Sequence, residues 1–181
     1  ILFSKGGTGS TVISYAARFL GKPVFLHEGD SVAGLSNKLV SKFAKKIFTS
    51  FQKTDGFGLK QVICVGNPIR TELLGGDTLK AKEMFFLSSK KPVILILGGS
   101  QGSETINEFI LLMINELLLK YEIIHVAGPK NYAKVQIESK FLIKKEFSEY
   151  YHLYRFLNES ELKNAYKISS VIVSRAGSGI I

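Results

Sequence analysis

Val93-Ile94-Leu95-Ile96-Leu97 is an unbroken apolar run, and it leads directly into Gly98-Gly99-Ser100-Gln101-Gly102-Ser103. A strand with one wet face alternates apolar and polar residues. A strand that does not alternate is covered on both faces, as in a parallel sheet flanked by helices. The same pattern recurs along the chain. Ile1–Ser4, Val24–His27, Ile47–Ser50 and Val62–Val65 read as strands, and Val93–Leu97, Ile123–Val126, His152–Phe156 and Val171–Ser174 as four more. Helical patterns lie between them over Thr11–Leu20, Val32–Phe43, Thr78–Leu87, Thr105–Lys120, Ala133–Ile137 and Glu159–Ile168. Strand–helix alternation predicts parallel βαβ units, so the fold class is α/β. Gly66-Asn67-Pro68 and Gly75-Gly76-Asp77 interrupt the pattern, and a new βαβ series starts at Val93. The expected organisation is one Rossmann-like domain over 1–68, a linker over 69–77 and a second such domain over 78–181, each incomplete.

Composition narrows the function. The single cysteine, Cys64, excludes a disulfide framework and a Cys-based zinc cluster. His27, His125 and His152 are scattered, so no His-built metal site is expected. His125 and Cys64 read as core residues, as do Phe85–Phe86 and Leu117–Leu119. The first residues run straight into Lys5 and a Gly cluster, unlike a signal peptide, and no apolar run approaches the ~18 residues of a membrane span. The chain is expected to be soluble, or to sit on a membrane without crossing it. Residues 1–70 hold ten Lys/Arg against three acids, a net of +7, within a total of +9. That asymmetry suggests attraction to phosphate in nucleic acid, anionic lipid or a pyrophosphate ligand. Few aromatics interleave with the lysines and no nucleic-acid motif is present, so a nucleic-acid partner is not expected.

In open parallel sheets, ligands bind where strand C-termini run into helix N-termini. Four such junctions stand out. Ser4-Lys5-Gly6-Gly7-Thr8-Gly9-Ser10 can bring backbone N–H groups to an anion, although it matches neither the P-loop nor the dinucleotide fingerprint. His27-Glu28-Gly29-Asp30-Ser31 offers acid–base groups, or with Asp30 or Ser31 an ordinary helix N-cap. Gly98–Ser103 can hold a phosphate through N–H groups and the Ser100 hydroxyl, or serve packing alone. Ser174-Arg175-Ala176-Gly177-Ser178-Gly179 leaves room for a ligand. Arg70, in the linker, is a candidate for neutralising a diphosphate. The Val32–Phe43 helix sets Val32, Leu35, Leu39 and Phe43 on one face and lysines elsewhere, which fits a basic interfacial helix or a face buried on the sheet.

In order and spacing, Ser4–Gly7, Pro23–Lys38, Gly66–Arg70, Leu97–Ser103 and Val173–Ser178 resemble the MurG family of bacterial N-acetylglucosaminyltransferases. The resemblance implies a GT-B architecture of two Rossmann-like domains. It implies UDP-GlcNAc as donor and lipid I (undecaprenyl-pyrophosphoryl-MurNAc-pentapeptide) as acceptor, with inverting transfer to give lipid II. No cofactor or metal is implied. The implied location is the cytoplasmic face of the bacterial membrane, against an anionic lipid surface. By that resemblance Asp30, Arg70, Ser100, Leu157, Gly177 and Ser178 match donor-binding positions, with Arg70 near the diphosphate and the Leu157 backbone at the uracil. Gly6, Gly7 and Ser10 match a loop thought to meet the acceptor pyrophosphate, where Thr8 and Gly9 depart from the family's aromatic and small aliphatic residues. His27 and Glu28 are the catalytic candidates that this stretch offers. The chain corresponds to about the middle half of such an enzyme and is expected to be nearly inactive alone. Two other readings remain: another GT-B sugar-nucleotide enzyme (a glycolipid glycosyltransferase or a UDP-GlcNAc 2-epimerase-like protein), or a non-catalytic sugar-nucleotide-binding module.

Overall fold

The computed structural model describes residues 1–58, 62–99 and 101–175. Among the described residues the chain divides into two compact units, Ile1–Ile69 and 70–175. Each is built on a four-stranded parallel sheet.

The first sheet runs β1 (Leu2–Ser4), β2 (Val24–Glu28), β3 (Lys46–Thr49), β4 (Val62–Cys64) in sequence order. Helices α1 (Thr8–Phe19) and α2 (Leu35–Ser41) fill its crossovers. Val24, Leu26, Ala33, Val40, Ile47 and Phe57 close a core beneath them. Phe3, Phe48 and Phe25 form a stack in which ring centroids lie 6.5 and 6.4 Å apart.

The helix expected from Val32 starts three residues later. Val32 instead bridges Asp55 in parallel, and Gly34 is the N-cap, so neither Asp30 nor Ser31 caps the helix. The buried face is consequently not the Val32/Leu35/Leu39/Phe43 stripe. Val32 and Leu35 are exposed, while Ala33, Asn37, Val40 and Ser41 are buried. Cys64 is also not a core residue. It lies exposed on β4, at the edge of the sheet.

The second sheet has the order β7 (Tyr151–Tyr154), β6 (Glu122–Val126), β5 (Val93–Leu97), β8 (Ser169–Ser174). The unalternating β5 is buried at every residue, because both faces are covered. Val93, Leu95 and Leu97 pack with Ala81 and Phe85 of the α3 (Thr78–Met84) region and Ala165 of α7 (Glu159–Ile168). Ile94 and Ile96 pack with Ile110 of α4 (Glu104–Leu112) and with Ile114 and Leu118 of α5 (Ile114–Lys120). The single helix expected over 105–120 is thus two, broken at Met113, whose ψ of 7° leaves the helical region. Helix α6 (Tyr132–Leu142) is longer than its apolar pattern implied.

Two apolar runs split across the surface. Phe85 is fully buried, but Phe86 adopts a φ of 54° and is 83% exposed. Leu118 is buried whereas Leu119, one residue round the helix, is 60% exposed. His125 is a core histidine, as expected. The Asn107 carboxamide oxygen accepts from its Nε2 at 3.0 Å, and the Tyr151 hydroxyl lies 2.7 Å from its Nδ1.

Candidate functional site

The strand order of the second sheet decides where a ligand can sit. The chain leaves β5 to one side, toward β6 and β7, and returns through α7 to β8 on the other. The reversal opens a crevice at the C-terminal ends of β5 and β8. Leu97 of β5 pairs with Ser174 of β8, so the Gly98-Gly99 turn and Ser174-Arg175 flank that crevice. The turn has no slack. A Cβ on Gly98 would stand 2.4 Å from the Ser103 nitrogen, and Gly99 and Gly102 hold φ of +83° and +81°. Ser103 caps α4 by accepting from the Ile106 N–H at 3.4 Å. Ser100, Gly177 and Ser178 lie outside the described residues.

Leu157 follows β7 by three residues. The residue is 4% exposed and packs in the core. The next residue, Asn158, starts α7 with a capping box. Its side chain accepts from the Glu161 N–H at 3.0 Å, and the Glu161 carboxylate accepts from the Asn158 N–H at 2.7 Å. Glu159, in the first turn, accepts a 2.9 Å hydrogen bond from Arg70 Nη1. Arg70 therefore stands at the N-terminus of α7, close in space to the Leu157 segment.

In the first unit, Gly6 and Gly7 carry φ of +93° and +89°, and Gly7 is the N-cap of α1. This backbone opens the turn to solvent on one side, because a Cβ on Gly7 would meet nothing within 4 Å. The Ser10 hydroxyl donates back to the Gly7 carbonyl at 2.8 Å, so it braces the turn.

His27 lies in the strand, as the sequence suggested, and Glu28 extends it by one residue. They end it, at 1% and 4% exposure. His27 Nε2 donates to the Gly66 carbonyl at 3.1 Å, since that oxygen can only accept, and Nδ1 is buried without a partner. The Glu28 carboxylate accepts from the Asp30 and Gly34 N–H groups, both at 3.0 Å, and from Asn37 Nδ2 at 2.8 Å. Asp30 itself is exposed at the loop tip. Asn37, absent from the sequence-based site, is the buried polar residue that joins this loop to the Gly turn. Among the described residues, no three His, Cys, Asp or Glu side chains converge as metal ligands would.

Two parallel α/β units, each with glycine-lined strand-to-helix turns, make a partial GT-B fold of the glycosyltransferase type. A solved MurG from Acinetobacter baumannii matches 97% of this chain and 46% of its own, with a TM-score of 0.64 at 24% identity. The UDP co-structure of Staphylococcus aureus MnaA matches 97% of this chain and 53% of its own, with the same TM-score at 16% identity. At these identities the likeness is one of fold.

The sequence goes further. The glycosyltransferase family 28 N-terminal domain matches residues 1–49, and the glycosyltransferase family 28 C-terminal domain matches residues 93–181. The chain belongs to glycosyltransferase family 28. It is 37% identical over its whole length to a Bacillus anthracis protein named UDP-N-acetylglucosamine--N-acetylmuramyl-(pentapeptide) pyrophosphoryl-undecaprenol N-acetylglucosamine transferase 2. A Treponema denticola transferase of the same name, without the number, is 36% identical over 99% of the chain. The chain spans about half the length of these relatives, 49% and 47%.

Proposed function

We propose that this chain carries donor-binding and acceptor-binding parts of an inverting transferase that moves GlcNAc from UDP-GlcNAc to lipid I, giving lipid II. The supporting observation is the match along its full length to relatives named for that transfer. In this reading the donor diphosphate sits at the β5–β8 crevice. Breaking the sugar–phosphate bond builds negative charge on UDP, and preorganised N–H groups of the Gly98–Ser103 turn stabilise it. By the resemblance, Ser100, Gly177 and Ser178 contribute to binding the same donor. The Arg70 guanidinium supplies the full positive charge, exchanging its Glu159 partner for phosphate oxygens. The buried Leu157 side chain holds its backbone still for the uracil edge. By the resemblance, Asp30 is assigned to the donor sugar, and Gly6, Gly7 and Ser10 to the acceptor pyrophosphate.

The lipid acceptor calls for a membrane-facing surface, in this reading the cytoplasmic, anionic face of the cell membrane. The first unit supports it. Phe19 is 92% exposed on α1, and Arg18, Lys22 and Lys45 line an open groove of about 440 Å³ with Phe43. Among the described residues no helix is long and apolar enough to cross a membrane.

The test is a titration of UDP-GlcNAc, with UDP-glucose and UMP as comparisons, into a polypeptide carrying this chain and the flanking segments its relatives possess. Selective binding that is lost in Arg70→Ala and Ser100→Ala supports the reading, and product analysis with a lipid I acceptor then completes it. A folded sample that binds no uridine nucleotide overturns it.

A further inference from the structure

Glu28 and Asn37 connect two loops that the sequence treats as separate. The Glu28 carboxylate is buried, with hydrogen bonds from the Asp30 N–H, the Gly34 N–H and Asn37 Nδ2 at 3.0, 3.0 and 2.8 Å. Asn37, 3% exposed, also donates to the His27 carbonyl at 3.4 Å. Its carboxamide sits beneath the β1–α1 turn. A Cβ on Gly6 would lie 2.8 Å from Asn37 Oδ1 and 2.9 Å from Nδ2. Gly6 is therefore required by Asn37 as much as by its own φ of +93°.

A general base must reach the proton it removes. The Glu28 oxygens face inward onto three donors, which gives them no approach to a substrate hydroxyl. Their geometry does something else. One carboxylate ties both ends of the 30–34 segment to β2, and the carboxamide bonded to it bears on the Gly6 turn.

We propose that Glu28 and Asn37 are positioning residues. They hold the Asp30 loop in fixed register with the Gly6–Gly7 turn, so that the donor-sugar and acceptor-pyrophosphate elements form one block. The role in transfer rests on the function proposed above; the coupling of the loops stands on these contacts alone.

The experiment is amide hydrogen exchange, read residue by residue by NMR on the full chain, with transfer kinetics measured beside it on the lengthened polypeptide. Glu28→Ala is expected to raise exchange at Asp30 and Gly34 at least tenfold. Glu28→Gln, which keeps one acceptor oxygen, should fall between it and the parent. Asn37→Asp preserves shape and tests the coupling if Glu28→Ala fails to fold. It places a second carboxylate against Glu28, and like charges at that distance favour sharing one proton. Protection of Asp30 and Gly34, corrected for intrinsic exchange, then becomes pH-dependent: retained in acid and lost toward neutral pH. In the transfer assay Glu28→Gln should keep kcat within about tenfold of the parent, where loss of a general base costs about 10²–10⁴.

Protection in Asn37→Asp that ignores pH would overturn the coupling. A kcat loss of base-like size in Glu28→Gln, with KM unchanged, would overturn the positioning role. Absence of UDP-GlcNAc binding by the parent polypeptide would instead defeat the transfer reading, while the exchange pattern would still support the clamp.

Discussion

Gly102 and Gly128 meet backbone to backbone: a Cβ on Gly128 would stand 2.4 Å from the Gly102 Cα, and one on Gly102 would stand 2.2 Å from the Ala127 carbonyl oxygen. The turn after β5 is thereby locked against the turn after β6, and the glycine-rich segment at the switch crevice inherits its shape from a neighbour rather than from its own sequence. Gly128→Ala combines a clash with backbone and a φ of +86°, and should cost about 3 kcal/mol. Gly7→Ala meets open space, so only its backbone conformation of φ 89° and ψ 157° resists it, and it should cost about 2 kcal/mol. Urea denaturation of both variants measures the contrast; equal costs would show that the lock carries no stability.

Eight strands were legible in the sequence as short apolar runs, although only β5 and β6 are buried at every residue. The break at Met113 was not, since both halves share an apolar period and only the backbone torsion separates them. Phe86 and Leu119 were misjudged for different reasons: Phe86 follows the end of α3 with a φ of 54° that turns it outward, and Leu119 lies one residue round α5 from the buried Leu118. The glycine turns and Arg70 were named from residue type and position, and Leu157 only through the family resemblance. Asn37 was missed, although a polar residue on the buried face between Ala33 and Val40 was the available signal. Glu28 was read as a candidate for chemistry because two of its three partners are backbone N–H groups, which leave no trace in sequence.

His125 makes the second unit sensitive to acid. Burial pushes its pKa from 6.5 to about 4, and both ring nitrogens are occupied by Asn107 and Tyr151. As pH falls below 6.5 the unfolded chain binds a proton that the folded chain refuses until about pH 4. Stability from this group is complete above 6.5 and is lost across that interval, by about 3 kcal/mol at roughly 1.4 kcal/mol per unit. His125→Gln cannot titrate, so its urea midpoint should fall less between pH 7 and pH 4 than that of the parent chain. Parallel pH curves for the two proteins would count against this account.

Glu122 is a buried carboxylate at the opposite end of β6. It accepts from the Ser88 N–H and hydroxyl at 2.8 and 3.0 Å and pairs with His152 Nε2 at 2.9 Å. Those bonds fasten the segment before β5 to the start of β6 and to β7. Removal of the carboxylate leaves three partly buried donors without their acceptor, a loss of about 3 kcal/mol in Glu122→Ala. Glu122→Gln keeps acceptance and should recover part of it. Thermal unfolding of the pair gives the comparison, and a smaller loss for the alanine than for the glutamine variant would refute the assignment.

Arg70 and Glu159 form an ion pair at 2.9 Å, with side chains 68% and 56% exposed. Exposed pairs contribute about 0–1 kcal/mol to stability, so neither Arg70→Ala nor Glu159→Gln should shift the unfolding midpoint appreciably. Nucleotide affinity should behave differently. If the guanidinium receives the donor diphosphate, Glu159 competes with the ligand for the same N–H fork, and Glu159→Gln releases that fork at no structural cost. UDP-GlcNAc then binds a few-fold more tightly to Glu159→Gln and more weakly to Arg70→Ala. In the double variant the Glu159→Gln gain disappears, because the group it frees is gone. Isothermal titration of the four proteins closes this cycle. A Glu159→Gln gain that persists without Arg70 would mean that the carboxylate repels the nucleotide directly, and it would remove Arg70 from the diphosphate site.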